Sequence, residues 1–403
     1  MFSIDIPVVD YPEPWSESFS DRLIRLGQGS YHVAYFYPRP DTSTFRYRVL
    51  NMIEALAATR GSVGASWFSV ADLSHLEAIV ERADVVVICR SGYSVAFANL
   101  VARVRARGKR VLYDIDDLVF DGQYVQLLLN TLDQPTGEVE LNFWHAYSGR
   151  NGALMRLCDG VILTNDYLAE RVRQFCGLPI AIIPNFMNFA QLNHSAKILD
   201  NKRALGFARD GRIHVGYFSG SPTHRRDFAI IEDAILDLMD SDSRVVLRIV
   251  GVLELNSRFA RFADRIEVFP FQNILNLQRL IGEVEINVVP LQDNLFTNCK
   301  SELKVFEASA VGTISVVSPV FTLRRAIHDG ETGFIAFAHC WRQTLGRGIS
   351  QLERYSEMAT AAAGTALRHY VPEAQGQAIF GVLFGDAADD HDGAEARSIL
   401  FRT

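Results

Sequence analysis

The stretch "KSELKVFEASAVGTISVVSP" (Lys300 to Pro319) decides how the rest of the chain is read. On a helical wheel, at about 100° per residue, Leu303, Phe306 and Ala310 share one stripe, and Lys300, Lys304 and Glu307 share a second stripe roughly a quarter-turn away. One face is built to pack, and its neighbour presents two cations and a carboxylate. Ser301 is a fitting N-cap, Gly312 supplies a C-terminal stop, and "TISVVSP" follows at once as a buried strand. A helix that feeds a buried strand is the unit from which parallel sheets are made.

The same alternation runs outward through both halves. Before residue 190 the short apolar runs are "YHVAYFY" (31–37), "SWFSV" (66–70), "DVVVIC" (84–89), "RVLYDI" (110–115), "GVILT" (160–164) and "IAIIP" (180–184). Amphipathic stretches such as "RVLNMIEALAAT" and "SVAFANLVARVRARG" separate them. A polar stretch without a strand, 185–211, interrupts the pattern. It restarts with "IHVGYFSG" (213–220), "VVLRIVG" (245–251), "IEVFPF" (266–271), "INVVPL" (286–291), "TISVVS" (313–318) and "FIAFA" (334–338). Continuously apolar strands between helices indicate parallel sheets covered on both faces. The expected fold is α/β, with two doubly wound, Rossmann-like domains facing each other across a cleft. We read 1–190 as the first domain, with 1–30 as an irregular proline-bearing leader, and 191–385 as the second. Residues 386–403 form an acidic tail whose composition suits flexibility. Ligands bind such sheets at the carboxyl ends of their strands, which places the expected site in the cleft.

Composition narrows the function classes. The 403 residues are 48% hydrophobic and 22% charged, as in a folded globular chain, and the formal net charge of −7 argues against nucleic acid as a partner. Cys89, Cys158, Cys176, Cys299 and Cys340 are far apart and never paired as C-x-x-C, which suggests neither a zinc site nor a disulfide framework. A reducing cytoplasm is the expected compartment. No run approaches the ~18–20 apolar residues needed to span a bilayer, and "MFSIDIPVVDYPEPW" does not read as a signal peptide. Contact with the inner face of a membrane stays compatible with this.

Four motifs carry chemistry. "GYFSGSPTHRRDF" (216–228) leaves a strand, turns at Gly220 and enters a helix that Ser221 can cap, so backbone N–H groups point into the cleft. His224, Arg225 and Arg226 add donors suited to phosphate oxygens, and the plain alternative is a capped helix with solvated arginines. "VVSPVFTLRR" (316–325) repeats the arrangement. "YDIDDLVFD" (113–121) sets Asp114, Asp116 and Asp117 at a strand end, where they can hold a metal, orient sugar hydroxyls or take a proton. Against a metal, no His or Cys accompanies them. "FRYRVLNMIEAL" (45–56) brings Arg46 and Arg48 to the expected cleft mouth, within reach of an anionic ligand or as a solvated helix start.

With these residues in hand, the chain resembles the GT-B glycosyltransferases, in particular the retaining group 1, family 4-like branch. "KVFEASAVGTISVVSP" followed by "IHDGETGFIA" is the most specific signal, with "GYFSGSPTHRRDF", "LRIVG", "VLYDIDDL" and "AIIPN" in family order. The resemblance implies that the second domain holds a nucleotide-diphosphate sugar as co-substrate and the first holds the acceptor. Glu307 then matches the glutamate that hydrogen-bonds the donor ribose. Gly220, Ser221, His224, Arg225, Lys300 and Lys304 line the diphosphate, and Asp116 or Asp117 positions the acceptor or steadies the sugar. The family often carries another glutamate eight positions before Glu307, and here Cys299 stands there. The implied activity is hexosyl or deoxyhexosyl transfer to a glycan, lipid-linked or other hydroxyl acceptor, as in polysaccharide biosynthesis, with retention and with no metal or other cofactor. A sugar-nucleotide epimerase of the same architecture and a non-catalytic nucleotide-sugar-binding protein are the competing readings. A nicotinamide dehydrogenase is disfavoured, since no G-x-G-x-x-G follows a first strand.

Overall fold

The computed structural model describes residues 1–59, 63–220 and 225–385. Ser221 and His224, both expected at the site, and the acidic tail 386–403 lie outside the described residues. The first sheet is formed by β1 (Tyr31–Phe36), β2 (Val63–Phe68), β3 (Val85–Cys89), β4 (Arg110–Ile115), β5 (Gly160–Leu163) and β6 (Ile180–Ile182), in the order β2-β1-β3-β4-β5-β6. The second contains β7 (Ile213–Ser219), β8 (Val245–Gly251), β9 (Ile266–Phe269), β10 (Ile286–Val289), β11 (Ile314–Val317) and β12 (Gly333–Ile335), in the order β12-β11-β10-β7-β8-β9. All of these pairings are parallel. The winding reverses between β1 and β3 in the first sheet and between β7 and β10 in the second, and such switch points open crevices at the strands' carboxyl ends.

Burial explains the continuous apolar runs. In β1, Ala34 and Phe36 join one core cluster while Val33 and Tyr35 join another on the opposite face; Val86 and Ile88 of β3 likewise oppose Val85 and Val87. With helices over both faces, neither set of alternate residues meets water, so the sequence shows no alternation.

Two segments depart from the expected division at residue 190. The leader is not irregular throughout. Phe2 is buried in the second domain's core and bridges Arg209, and the Val9 N–H donates to Asn276 Oδ1 at 2.9 Å. The helix Phe19–Leu26, capped by Ser18, then packs on β2 in the first domain. Residues 1–9 take their order from partners on other elements, which no local periodicity announces. The last helix, Pro372–Phe384, returns to the first domain and buries Ile379, Phe380 and Leu383 in the cluster of Val33 and Tyr35. Gly376 permits this crossing: a Cβ there would stand 2.7 Å from the Ala55 carbonyl oxygen. The polar stretch at 185–211 holds no strand, and most of it is the helix Phe189–Ala204. No described helix is long and apolar enough to cross a membrane.

Candidate functional site

The carboxyl ends of β1, β3 and β4 face those of β7 and β8 across a cavity of about 460 Å³, in the size range of small-ligand sites. The first domain contributes Thr44, Arg46, Tyr47, Arg90, Asp116 and Asp117 to its wall, and the second contributes Ser219, Gly220, Gly251, Lys300, Lys304 and Glu307. A smaller adjoining space of about 160 Å³ shares Asp116, Asp117, Lys300 and Lys304.

The helix Leu303–Ala310 carries the second-domain charges. Its apolar stripe, Leu303, Phe306 and Ala310, packs against Tyr47, Met187 and Tyr370, which turns Lys304 and Glu307 to the cavity. Ser301 is not the N-cap: Glu302 stands at that position without a side-chain cap bond, and Ser301 Oγ is buried with no hydrogen-bond partner among the described residues. Lys300 lies ahead of the helix, its Nζ 4.7 Å from the Phe296 ring centroid and 3.5 Å from Asp117 Oδ1. Lys304 Nζ is 5.6 Å from the Tyr217 ring centroid, and no described carboxylate comes within ion-pair distance of it. Burial lowers the Lys304 pKa and Lys300 pushes the same way, against Asp227 and Glu307. Burial raises the Glu307 pKa, opposed by Tyr47, Gln191, Lys304 and Arg46. A cavity with desolvated cations and a desolvated carboxylate is set up to exchange water for an anion and a hydroxyl donor. Gly251 closes the second domain's side of the wall at φ 100, and a Cβ there would stand 1.9 Å from Ser219 O. Only glycine lets β7 and β8 end side by side in this way.

On the facing wall the aspartates are neutralised rather than open. Thr44 Oγ1 donates to Asp116 Oδ2 at 2.9 Å, and Arg90 Nη1 lies 3.1 Å from Asp116 Oδ1 and 3.4 Å from Asp117 Oδ2. Arg90 is a cavity-lining cation that sequence reasoning missed, as it missed Thr44 and Tyr47 beside it. It follows β3 directly with φ 40, a left-handed conformation uncommon for a residue with a side chain, and its Nε donates to the Tyr147 hydroxyl at 3.1 Å. The available signal was a lone arginine at the end of the fully apolar strand "VVVIC".

Three expected site residues sit elsewhere. Arg48 is not at the cleft mouth. It is fully buried and donates through Nε and Nη2 to both Asp114 oxygens at 2.8 Å, and through Nη1 to the Ile183 carbonyl at 2.8 Å. Asp114 is consumed by that pair on the face of β4 that carries Leu112, and it does not line the cavity. Arg46, two residues earlier in a π-helical turn, does line the cavity: Nη2 donates to Glu13 Oε1 at 2.6 Å, while Nη1 is buried without a hydrogen-bond partner among the described residues. Arg225 does not line the cavity. Its side chain is 66% exposed on the rim, with Nε 3.3 Å from Asp133 Oδ2, and Arg226 Nε donates to the same carboxylate at 2.7 Å. Cys299 is fully buried against the first domain's core, its thiol pushed up to about 12 by burial, so it brings no charge to this position.

Among the described residues, the group with metal-ligand spacing is Asp210, His214 and Glu285. It lies at the amino ends of β7 and β10, away from the cleft.

No protein-family model and no curated protein sequence matches the chain. Solved structures do. A sucrose-phosphate synthase from Thermosynechococcus elongatus superimposes with TM-score 0.58 at 15% identity, covering 86% of this chain and 96% of that one. A glycosyltransferase from Rickettsia africae gives TM-score 0.59 at 12% identity over 88% and 97% of the two chains. The Anabaena protein HepE, solved in complex with UDP, gives 0.57 at 14% identity over 87% and 99%. The two facing parallel six-stranded sheets with flanking helices are thus the GT-B fold of solved glycosyltransferases.

Proposed function

We propose that the chain is a glycosyltransferase that moves a hexosyl or deoxyhexosyl group from a nucleotide-diphosphate sugar to a hydroxyl of a glycan or lipid-linked acceptor, with retention and without a metal. The observation that carries the reading is the placement of Lys300, Lys304 and Glu307 directly opposite Arg90, Asp116 and Asp117 around one cavity. Support also comes from a neighbour of the same fold that was solved with UDP and with UDP-glucose.

In this reading Glu307 accepts from the donor's ribose, and the two lysines stabilise the negative charge that grows on the departing diphosphate, the largest single contribution available to such a site. The bond between the sugar's anomeric carbon and the phosphate oxygen breaks with oxocarbenium character. The acceptor oxygen then bonds to the anomeric carbon from the face the diphosphate leaves, and its proton passes to a phosphate oxygen. Asp116 and Asp117, neutralised by Arg90 and Lys300, orient acceptor or sugar hydroxyls. The Lys300–Asp117 and Tyr47–Glu307 contacts span the domains and tie the two walls of the cleft together. A cytoplasmic setting, with or without contact at the inner membrane face, follows from the same reading.

The test is incubation with UDP-, GDP- and dTDP-sugars while nucleotide release is followed. A transferase releases nucleotide only when an acceptor is added. Release or epimerisation without acceptor supports the epimerase reading, and binding without turnover under any condition supports a non-catalytic binder.

A further inference from the structure

Glu307 reaches the cavity with one of its oxygens already taken. Oε1 accepts from the Tyr47 hydroxyl of the opposite domain and from Gln191 Nε2 at 3.3 Å. A carboxylate oxygen offers about two acceptor sites, so Oε1 is saturated. Both donors are held in place. Tyr47 is 6% exposed, sits in the π-helical turn Arg46–Leu50 and packs in one cluster with Phe306 and Met187. Gln191 is fully buried near the start of the helix that opens the second domain, where its backbone N–H donates to Asn188 Oδ1 at 2.8 Å. No described donor bonds Oε2, which is the oxygen left to a ligand.

A pentose with neighbouring 2′- and 3′-hydroxyls is gripped most firmly when each hydroxyl has its own carboxylate oxygen. With Oε1 occupied, one hydroxyl obtains a good partner and the second adds little. We propose that Tyr47, together with Gln191, is a specificity-determining residue that makes the donor site indifferent to the 2′-hydroxyl, so that 2′-deoxyribonucleoside diphosphates and their sugars bind about as well as the ribonucleoside forms. This rests on the donor-site reading of the cavity and deepens it by defining the nucleotide class.

The experiment is calorimetric titration of ribo and 2′-deoxy pairs, UDP against dUDP, GDP against dGDP, ADP against dADP and 5-methyl-UDP against dTDP, with the wild-type chain and with Tyr47→Phe, which keeps the ring and removes only the hydroxyl. For whichever base binds, the wild type is expected to prefer the ribonucleotide by less than about fivefold, and the preference is expected to grow in Tyr47→Phe as Oε1 becomes free for the second hydroxyl. A wild-type preference of about fivefold or more, or one that does not grow in the variant, overturns the proposal while leaving the donor site in place. If none of these nucleotides binds, the donor-site reading fails and takes the proposal with it. The wild-type ratio decides on its own if the variant does not fold.

Discussion

Replacing Lys304 with methionine separates the two roles that the cleft assigns to a buried cation. In the ligand-free protein the ammonium is a liability: burial and Lys300 lower its pKa, and no described carboxylate pairs with it. A folded pKa below the unfolded one means that the unfolded chain binds the proton more tightly at neutral pH, so the charged lysine opposes folding there. Lys304→Met keeps the length of the side chain and its contact with Tyr217 while removing that opposition. We expect the variant to be more stable than the wild type by about 1 kcal/mol, the low end for exchanging a buried charge for a packed apolar side chain. The gain should shrink as pH rises and the wild-type lysine loses its proton in both states. Nucleotide binding should move the other way. Loss of a charge-assisted hydrogen bond to phosphate, about 1.5–3 kcal/mol, predicts an affinity lowered by about 10- to 150-fold. Thermal denaturation gives the first quantity and calorimetric titration of the nucleoside diphosphate that binds the wild type gives the second. A variant with a lower melting temperature and unchanged affinity would refute the reasoning, because it would mean that Lys304 is a structural cation with its own partner.

Asp114→Asn removes the counter-charge of the buried Arg48 and turns one of its two acceptor oxygens into an N–H donor, which should cost about 3–5 kcal/mol in denaturant unfolding. Gly251→Ala forces a Cβ toward the Ser219 carbonyl at a φ that disfavours side chains, and a loss of about 2 kcal/mol or more, with nucleotide binding abolished, is expected. Glu267 has its pKa lowered to about 2 by His214, whose Nε2 lies 3.6 Å from Oε1, and by the hydrogen bond from Arg248, so its stabilisation is complete above the ordinary glutamate value and is lost as pH falls toward 2. With the carboxylate one-third exposed and screened, about 1–2 kcal/mol of acid sensitivity should vanish in Glu267→Gln, measured as melting temperature against pH.

The parallel sheets were legible because each strand is a short apolar run between amphipathic stretches, and the charged stripe of Lys304 and Glu307 was legible because it adjoins an apolar stripe at helical spacing. Arg46 and Arg48 show where that legibility ends. Both open the same helix, yet the π turn and the register that brings Asp114 beneath it send one to the cavity and bury the other. Neither the turn nor a partner 66 residues away has a local signature. Arg90 escaped for a similar reason, since its worth lies in three strand ends meeting, β1, β3 and β4, together with a positive φ that a non-glycine residue does not advertise. Arg225 was read from its neighbours as a phosphate ligand, but Asp133 on the opposite rim claims it.

The central claim is that this cavity grips a nucleoside diphosphate through Glu307 and the adjacent lysines. Calorimetric titration of UDP, GDP, ADP and dTDP into the wild-type chain and into Glu307→Ala tests it most directly. The account predicts that at least one nucleotide binds the wild type and that Glu307→Ala weakens it by about tenfold or more. Failure of all four to bind, or equal binding by the two proteins, would contradict it.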